Sequence, residues 1–200
     1  MSSGRPVTLI LAAAVPSLAI GRGGTLPWRL AKEMKYFRQV TTNGIVIMGR
    51  KTWESIPAKF RPLADRTNVV ITRSPENLQL PDSVLVASSL EDAQSKVAHL
   101  DGRLFVIGGA QLYKSALQLP STKHVLLTEI SHEFPDCDAF FDYFPWYSAE
   151  TATPEGAEWT RRSFDQLKEF LGDQIQDFTG DDGSVEEKGI PYTFTLWSRD

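Results

Sequence analysis

One carboxylate in the sequence stands where it could hold and deliver a proton. It belongs to Glu33, in a segment, 29–40, whose apolar residues recur with the period of a helix. The apolar positions are Leu30, Met34 and Phe37. Because Glu33 falls on their face, burial would raise its pKa and let it keep a proton near neutral pH. The alternative is a surface ion pair with Arg29, four residues earlier, and the helix pattern by itself leaves both open.

Three predicted strands end in residues that suit phosphate groups. These segments are Gly49–Thr52 after strand 45–48, Gly108–Ala110 after strand 104–107, and Thr72–Ser74 after strand 68–71. The first two open helices, whose free amides and positive dipole end attract anions, and Arg50, Lys51 and Arg73 add positive charge. Each segment alone is also compatible with a capped helix or a surface cation. Together, at the carboxyl ends of strands in one sheet, they indicate a ligand with several phosphates, such as a dinucleotide.

The elements that must position these residues alternate along the chain. Seven short runs rich in β-branched residues, most of them unbroken, are typical of strands buried on both faces. The predicted strands are Val7–Ala13, Ile45–Met48, Asn68–Thr72, Val84–Val86, Leu104–Ile107, Val125–Ile130 and Tyr192–Trp197. The predicted helices are Arg29–Val40, Thr52–Ile56, Leu90–Leu100 with Ser88 as its cap, and Ala110–Leu119. This order predicts an α/β fold with a largely parallel sheet and an antiparallel last strand.

Composition limits the classes of protein to consider. The 200 residues are 42% apolar and 23% charged, which suits one globular domain and excludes a disordered or fibrous chain. The net charge of −4 gives no general attraction to nucleic acid. The segment 165–188 carries eight acidic side chains and two lysines, so the rest of the chain is mildly basic and could suit a small polyanion. Within that segment, residues 173–189 are predicted to form an exposed acidic loop.

Two further features bear on the compartment. The single cysteine, Cys137, excludes an intrachain disulfide and fits a reducing environment. The longest apolar run, Val7–Val15, is too short for a membrane helix. It could imitate a secretion signal, but one preceding basic residue, Arg5, favours a buried first strand instead. We therefore expect a cytoplasmic protein.

Common catalytic and nucleotide-binding motifs are absent from the sequence. Gly44 and Gly49 have the spacing of a P-loop, but Lys51 comes one position late and a strand lies between the glycines. The stretch 21–24 breaks the dinucleotide fingerprint of a Rossmann fold and is predicted to be a mobile loop instead. With no nucleophile elbow and no set of metal ligands, the reaction chemistry would have to come from a cofactor.

A set of short motifs, taken together, resembles the dihydrofolate reductase family from about residue 7 to the C-terminus, least clearly at 145–190. The motifs are Leu26-Pro27-Trp28-Arg29, Lys32-Glu33, Tyr36-Phe37, the block 46–57 (VIMGRKTWESIP), Arg61-Pro62-Leu63 with Arg66, Ile107-Gly108-Gly109 with Tyr113, Thr128-Glu129-Ile130 and Tyr192-Thr193-Phe194. The block 46–57 is the most specific of them. The motif Lys59–Leu63 and the long insertion before the last strand resemble those of monofunctional fungal members.

The resemblance implies a dihydrofolate reductase-like fold: a central eight-stranded, mostly parallel sheet with a C-terminal antiparallel strand, flanked by helices. It implies one domain over residues 1–200, with an adenosine-binding subdomain at about 42–110 and an acidic loop insertion at about 165–189. The implied activity is NADPH-dependent reduction of 7,8-dihydrofolate to 5,6,7,8-tetrahydrofolate by a cytoplasmic monomer. Dihydrofolate and antifolate inhibitors would be its ligands, with no metal, nucleic acid or membrane required.

The resemblance also assigns roles to residues of this sequence. Glu33 would be the active-site acid, Thr128 would support it, and Trp28 would hold a water near the pterin. Substrate would be bound, besides Glu33, by Ile10, Met34, Phe37, Arg38, Ile56, Phe60, Leu63, Ile107 and, at the α-carboxylate of the glutamate tail, Arg66. Cofactor would be bound by Ala12, Leu18, Ala19, Ile20, Gly21, Gly23, Gly24, Gly49, Arg50, Lys51, Thr52, Thr72, Arg73, Ser74, Ser88, Gly108, Gly109, Ala110, Gln111, Leu112 and Tyr113. The Gly108-Gly109 peptide is expected to be cis.

Three other hypotheses fit parts of the sequence. The first keeps the fold and changes the substrate to another pteridine or a pyrimidine precursor, but Glu33 and Arg66 together favour folate. The second is a nucleotide- or RNA-binding module without turnover, which has no use for a buried acid. The third is an interaction protein that uses the acidic insertion, for which the sequence gives no positive sign.

Overall fold

A computed structural model describes residues 4–142, 144, 158–172 and 180–200. The chain forms two compact units. The first unit comprises Met1–Leu9 and Thr41–Thr122, and the second comprises Ile10–Val40 and Lys123–Asp200. No helix in the described part of the chain is long and apolar enough to cross a membrane.

The described residues form strands and helices with the following bounds. The strands are β1 Val7–Ala14, β2 Ala19–Gly21, β3 Ile45–Gly49, β4 Thr67–Ile71, β5 Leu85–Ala87, β6 Leu104–Val106, β7 Thr122–Ile130, β8 Ala139–Phe140, β9 Thr160–Arg161, β10 Ser184–Glu187 and β11 Ile190–Ser198. The helices are α1 Ala31–Thr41, α2 Arg50–Ser55, α3 Leu90–Lys96, α4 Ala110–Leu117 and α5 Phe164–Leu171, with 3-10 turns at Ala58–Phe60 and Pro75–Asn77. All seven predicted strands are therefore present within three residues of their expected ends.

The first unit is built on a parallel sheet in the order β1-β6-β3-β4-β5. Its central strands are unbroken apolar runs because both faces are covered: Val46, Ile47 and Met48 of β3 are fully buried. Helices α2 and α4 each begin at the carboxyl end of a strand. Gly49 caps α2 at the end of β3, and Gly109 caps α4 after β6. This connection places the starts of both helices at one edge of the sheet, as the sequence predicts.

The second unit is built on the order β10-β11-β7-β1, in which β11 runs antiparallel to both β10 and β7. Trp159, Trp197 and Phe141 are fully buried in its core. Because β1 belongs to both orders, the eight strands of the expected sheet are present, and β11 is the expected C-terminal antiparallel strand. Tyr36 of α1 stacks on Phe194 of β11 at 3.9 Å between ring centroids, and this contact fixes the helix on the sheet.

The segment 165–189 is not simply the acidic loop that the sequence predicts. Helix α5 occupies its start, because Ser163 and Gln166 form a reciprocal capping box. Strand β10 occupies its end, where Lys188 and Gly189 both have positive φ and close a tight hairpin with β11. Residues 173–179 lie outside the described residues. Acidic composition indicated exposure, but capping and turn chemistry decided the local structure.

Helix α3 also differs in detail from its prediction. It ends at Lys96 rather than at residue 100. Its N-cap is Ser89, whose side chain accepts a hydrogen bond from the Asp92 amide, while the Asp92 carboxylate accepts from the Ser88 amide at 2.8 Å. The cap therefore lies one residue after the predicted one, because Asp92 is the acidic side chain within reach of the preceding backbone.

Candidate active site

Glu33 is a buried carboxyl group in the first turn of helix α1. It is 8% exposed, and it shares its buried helix face with Tyr36 and Val40. The predicted apolar face was wrong at Met34, which is 58% exposed, and at Phe37, which is only half-buried. The helix turns Glu33 and Tyr36 inward because β7 and β11 supply partners for them, and the apolar side chains on the neighbouring face stay accessible.

The environment of Glu33 favours its protonated form. Thr128 Oγ1, on β7, donates a hydrogen bond to Glu33 Oε1 at 3.2 Å. The pKa of Glu33 is raised to about 7, chiefly by burial; the Thr128 hydrogen bond lowers it, and the charge of Glu187 raises it. A buried, hydrogen-bonded Glu33 rules out the surface ion pair with Arg29. The group can thus keep or release a proton near neutral pH.

Trp28 lies just before this helix and contributes an unsatisfied donor. The side chain is 7% exposed and packs against Phe134 at 5.4 Å between ring centroids. Its Nε1 is buried and has no hydrogen-bond partner among the described residues. A buried indole N–H normally has a partner, so this donor is available to a bound ligand or water.

Other predicted residues of the second unit lie on β1, the following loop and α1. Ile10 is buried and Ala12 half-buried on β1, and Arg38 is exposed in the last turn of α1. The predicted mobile loop 21–24 begins one residue late, because Gly21 is the last residue of a strand. Ala19–Gly21 forms strand β2, paired with β1 and β8, because Leu18, Ala19 and Gly21 are buried.

The exposed part of this loop is held by the segment 135–138, where Arg22 Nη1 donates to Pro135 O at 3.2 Å. The Gly23 amide donates to Asp138 Oδ2 at 3.0 Å, and Arg22 and Thr25 form an isolated bridge. Gly23 and Gly24 have φ of 56° and 78°, with nothing within 4 Å of an added Cβ. The turn therefore projects from the unit and requires glycine for its backbone conformation.

In the first unit, a groove of about 630 Å³ lies at the carboxyl ends of β4 and β5. Of the predicted cofactor residues, it is lined by Arg50, Thr72, Arg73, Ser74, Ser88 and Leu112. Two guanidinium groups and several hydroxyls on one concave surface are the donor set that phosphate oxygens require. Lys51 is exposed on α2 but is not among the lining residues, and Arg50 is paired with Glu54 at 2.8 Å. Arg73 is therefore the better candidate for an anion anchor.

Sequence reasoning missed some residues of this groove. They are Ile71, Ser89, Leu90, Glu91, Gln118 and Leu119. Helix α4 contributes Leu112 and Ser115 to the same wall. Because 112, 115 and 119 are spaced i, i+3 and i+7, the helical period of α4 was the signal that could have found this wall.

The glycines at the starts of α2 and α4 bring two backbones close together. The Gly49 amide donates to Gly108 O at 2.9 Å, and the Gly108-Gly109 peptide is cis, as expected. Gly108 has φ of 121°, and a Cβ on either Gly108 or Gly109 would lie 3.5 Å from Thr52 Oγ1. Ala110 begins α4, followed by exposed Gln111 and buried Tyr113. Because Gly108 and Gly109 have no side chains, a ligand could approach the backbone amides at the start of α4 closely.

The predicted substrate residues of the first unit include an ordered arginine. Arg66 is half-buried; its Nε donates to Ala64 O at 2.8 Å and its Nη1 to Thr41 Oγ1 at 3.0 Å. These bonds fix the plane of the guanidinium, which suits a bidentate carboxylate. The apolar residues expected to line the site in this unit, Ile56, Leu63 and Ile107, are half-buried, and Phe60 is 57% exposed.

Comparison with known proteins supports one family. Residues 6–167 match the family model described as "Dihydrofolate reductase". A dihydrofolate reductase of Candida albicans is 40% identical over 96% of this chain and 97% of its own length. One from Pneumocystis carinii is 37% identical, and one from Saccharomyces cerevisiae is 38% identical, each over the full length of both chains.

A solved structure agrees with these relatives. The dihydrofolate reductase of Schistosoma mansoni superposes with a TM-score of 0.72 at 27% identity, covering 98% of this chain and 100% of the other. The matched region contains the buried Glu33, its partner Thr128, and the glycines that begin α2 and α4. On this evidence the chain belongs to the dihydrofolate reductase family and is similar to its fungal members.

Proposed function

We propose that this protein catalyses the NADPH-dependent reduction of 7,8-dihydrofolate to 5,6,7,8-tetrahydrofolate. The observation that carries the proposal is Glu33, a buried carboxyl group with a pKa of about 7, held by Thr128. A reductase of a pterin ring needs a group that can hold a proton at neutral pH in a site shielded from water. The family to which the chain belongs supports this choice of substrate.

The residues of the first unit fit a phosphorylated dinucleotide. NADPH, when bound, would supply the reducing equivalent for carbon 6 of the pterin. Thr72, Arg73 and Ser74 would bind the 2′-phosphate of its adenosine, which favours NADPH over NADH because Arg73 offers a charge-assisted bond. The amides beginning at Gly109 and Ala110 would bind the pyrophosphate at the start of α4.

Glu33 would act on the pterin in two ways. Its carboxyl group would hydrogen-bond the pterin amino group and ring nitrogen 3, and through water it would support protonation of ring nitrogen 5. Thr128 donates a hydrogen bond to Oε1 of Glu33, so Oε2 would be the oxygen that contacts the pterin. Trp28 Nε1, which is buried without a partner among the described residues, would donate to the water near the pterin.

The remaining substrate contacts would be apolar or anionic. Met34 of the second unit is 58% exposed and Phe60 of the first is 57% exposed, and each is a large apolar side chain of the kind that an aromatic ligand covers. Arg66 would bind the α-carboxylate of the glutamate tail, since Thr41 and Ala64 already fix its guanidinium plane. Antifolate inhibitors would use the same contacts.

The organisation of the molecule is also part of the proposal. We propose a single catalytic domain whose adenosine-binding part, about residues 42–110, falls within the first compact unit. We further propose that it acts as a cytoplasmic monomer that needs no nucleic acid or membrane. Sedimentation velocity on the active enzyme would check the monomer, and a dimer at catalytic concentration would overturn that part.

The direct test follows the absorbance at 340 nm with purified protein, NADPH and dihydrofolate. We expect a decrease that requires both substrates and is faster with NADPH than with NADH. Glu33→Gln should slow the reduction by about 10²–10⁴-fold while NADPH binding persists. Glu169→Gln, an exposed glutamate on α5, is the matched control and should leave the rate unchanged.

Two outcomes would contradict the proposal. Wild-type turnover in Glu33→Gln would remove Glu33 from the mechanism. A folded protein that binds NADPH but does not reduce dihydrofolate would instead point to another pteridine or a pyrimidine substrate on the same fold.

A further inference from the structure

A second carboxylate lies at the start of the helix that carries Glu33. Glu187 Oε1 accepts a hydrogen bond from the Ala31 amide at 2.6 Å, and Glu187 Oε2 accepts one from the Lys32 amide at 3.1 Å. These are among the first amides of α1, which have no partner within the helix. Glu187 is 155 residues away from Lys32 in sequence, so the tertiary fold alone brings this cap to the helix.

The position of Glu187 is itself fixed by the β10–β11 hairpin. Glu187 is the last residue of β10 and pairs with Ile190 across the turn formed by Lys188 and Gly189. From β11, the Tyr192 hydroxyl donates to Glu187 Oε2 at 2.9 Å, and Tyr192 is 1% exposed. Three donors therefore hold one carboxylate against the first turn of α1.

We propose, on the basis of the function proposed above, that Glu187 is a positioning residue for the reduction. Its carboxylate anchors the first turn of α1, and its negative charge acts on Glu33 in that same turn. The role differs from that of an ordinary helix cap, because the capped helix carries the acid of the reaction in the same turn.

The charges around Glu33 support this assignment. Burial raises the pKa of Glu33 most, the Thr128 hydrogen bond lowers it, and the Glu187 charge raises it again. The pKa of Glu187 itself lies below its usual value: burial raises it, but the bonds from Tyr192, Lys32 and Ala31, together with the charge of Lys188, outweigh that effect. Glu187 is thus ionised at neutral pH, while Glu33 is near its midpoint.

The other ionisable groups that face this pair do not replace Glu187. Tyr36 and Tyr192 stay neutral near pH 7, because burial raises the pKa of both. The charge of Glu33 raises both pKa values further, and the charge of Glu187 also raises that of Tyr192. Lys188 is the cation beside Glu187, and its Nζ lies 3.5 Å from Arg29 O. Among the described residues that act on Glu33, Glu187 is therefore the one that brings a negative charge.

Glu187→Gln separates the charge from the cap. The amide of glutamine keeps an oxygen that can accept from Ala31, so a cap of structural value only would survive the change. Loss of the charge lowers the pKa of Glu33, and the high-pH limb of the reduction rate should move to lower pH by about half a unit. At pH 8 this corresponds to a rate about threefold below that of the wild type, with the difference shrinking at high salt.

The experiment measures single-turnover reduction of dihydrofolate against pH at low salt. Glu186→Gln, the neighbouring exposed glutamate on β10, makes the same charge change and should superimpose on the wild type. Tyr192→Phe keeps the charge and removes one donor, so its profile should move less than that of Glu187→Gln. Urea unfolding of each variant confirms that it is folded under the assay conditions.

A second readout does not depend on turnover. The carboxyl carbon of Glu33 can be titrated by ¹³C NMR in protein labelled at glutamate, with Glu33→Gln to assign the signal. We expect the midpoint of this titration to fall in Glu187→Gln and to stay unchanged in Glu186→Gln. Coincident midpoints in wild type and Glu187→Gln would overturn the inference, whereas inactivity of the wild type towards dihydrofolate would overturn the proposed function alone. If Glu187→Gln does not fold, the salt dependence of the wild-type midpoint decides the inference: a midpoint that does not decrease from low to high salt contradicts it.

Discussion

The Thr128 hydroxyl donates a hydrogen bond to Glu33 at 3.2 Å, and both side chains are almost wholly shielded from solvent. Thr128 lies on β7, the strand paired with β11, and Glu33 lies on α1, which packs against β11 through Tyr36 and Phe194. The orientation of the acid is therefore set by the sheet of the second unit. One carboxyl oxygen is committed to this bond, and the other is the natural contact for a ligand.

Thr128→Val should move the pH profile of the reduction upward. The hydroxyl stabilises the ionised form of Glu33, so its loss raises the pKa of the acid further. A hydrogen bond to a charged group contributes about 1.5–3 kcal/mol, which corresponds to a shift of at least one unit. The measurement is the single-turnover rate against pH. Thr128→Ser keeps the donor and serves as the control; if valine and serine gave the same profile, the hydroxyl would have no part in tuning Glu33.

Glu33→Gln should make the protein more stable above neutral pH. The pKa of Glu33 rises from 4.5 in the unfolded chain to about 7 in the folded protein. Between these values the unfolded state binds fewer protons than the folded one, so stability is highest below pH 4.5 and is lost as pH rises to about 7. The loss attributable to this group is on the order of 3 kcal/mol.

Urea unfolding of wild type and Glu33→Gln at pH 5 and pH 8 measures this effect. The free energy of unfolding of the wild type should fall relative to that of the variant as pH rises. Parallel curves for the two proteins over this range would show that Glu33 is not buried in the manner described.

Arg73→Ala should reduce the preference for NADPH over NADH. Arg73 lines the groove with Thr72 and Ser74, and its charge is the feature that would distinguish a 2′-phosphate from a hydroxyl. Loss of a charge-assisted bond of about 1.5–3 kcal/mol predicts NADPH binding weaker by about 10–100-fold, with NADH binding little changed. Fluorescence titration with each nucleotide measures both. Lys59→Ala removes an exposed cation that does not line the groove and should leave the ratio intact; an equal loss for both nucleotides in Arg73→Ala would argue against 2′-phosphate recognition.

Arg66→Ala should weaken dihydrofolate binding and leave the chemical step nearly unchanged. The guanidinium is oriented by Thr41 and Ala64 and would contact only the glutamate tail. We expect KM for dihydrofolate to rise by about 10–100-fold and kcat to change little. A pterin lacking the glutamate tail is the matched control, because its reduction should be insensitive to the substitution. A fall in kcat with KM unchanged would place Arg66 in another role.

Several elements could be predicted from the sequence because their signals are local. Strands β1, β3 and β6 are nearly unbroken apolar runs, and such runs are buried wherever the sheet forms. The starts of several helices were predicted from a glycine or proline just before the helical residues. The errors came where two local patterns competed: Met34 and Phe37 looked like a buried face, yet Glu33 and Tyr36 are the residues that point inward. The hairpin of β10 and β11 was missed because the acidic composition of β10 favoured an exposed loop.

The sequence alone predicted which residues could do the chemistry: an acid on a helix, glycines at strand ends, and Arg66 and Arg73 as candidate anion anchors. The tertiary structure decided the state of the acid. Thr128 is 95 residues from Glu33, and Glu187 is still more distant, so neither partner shows in any local pattern. A pKa of about 7 at Glu33 arises from desolvation and from charges brought near by strand pairing. Both effects act through space rather than along the chain, and they exist only once β7, β10 and β11 have closed against helix α1.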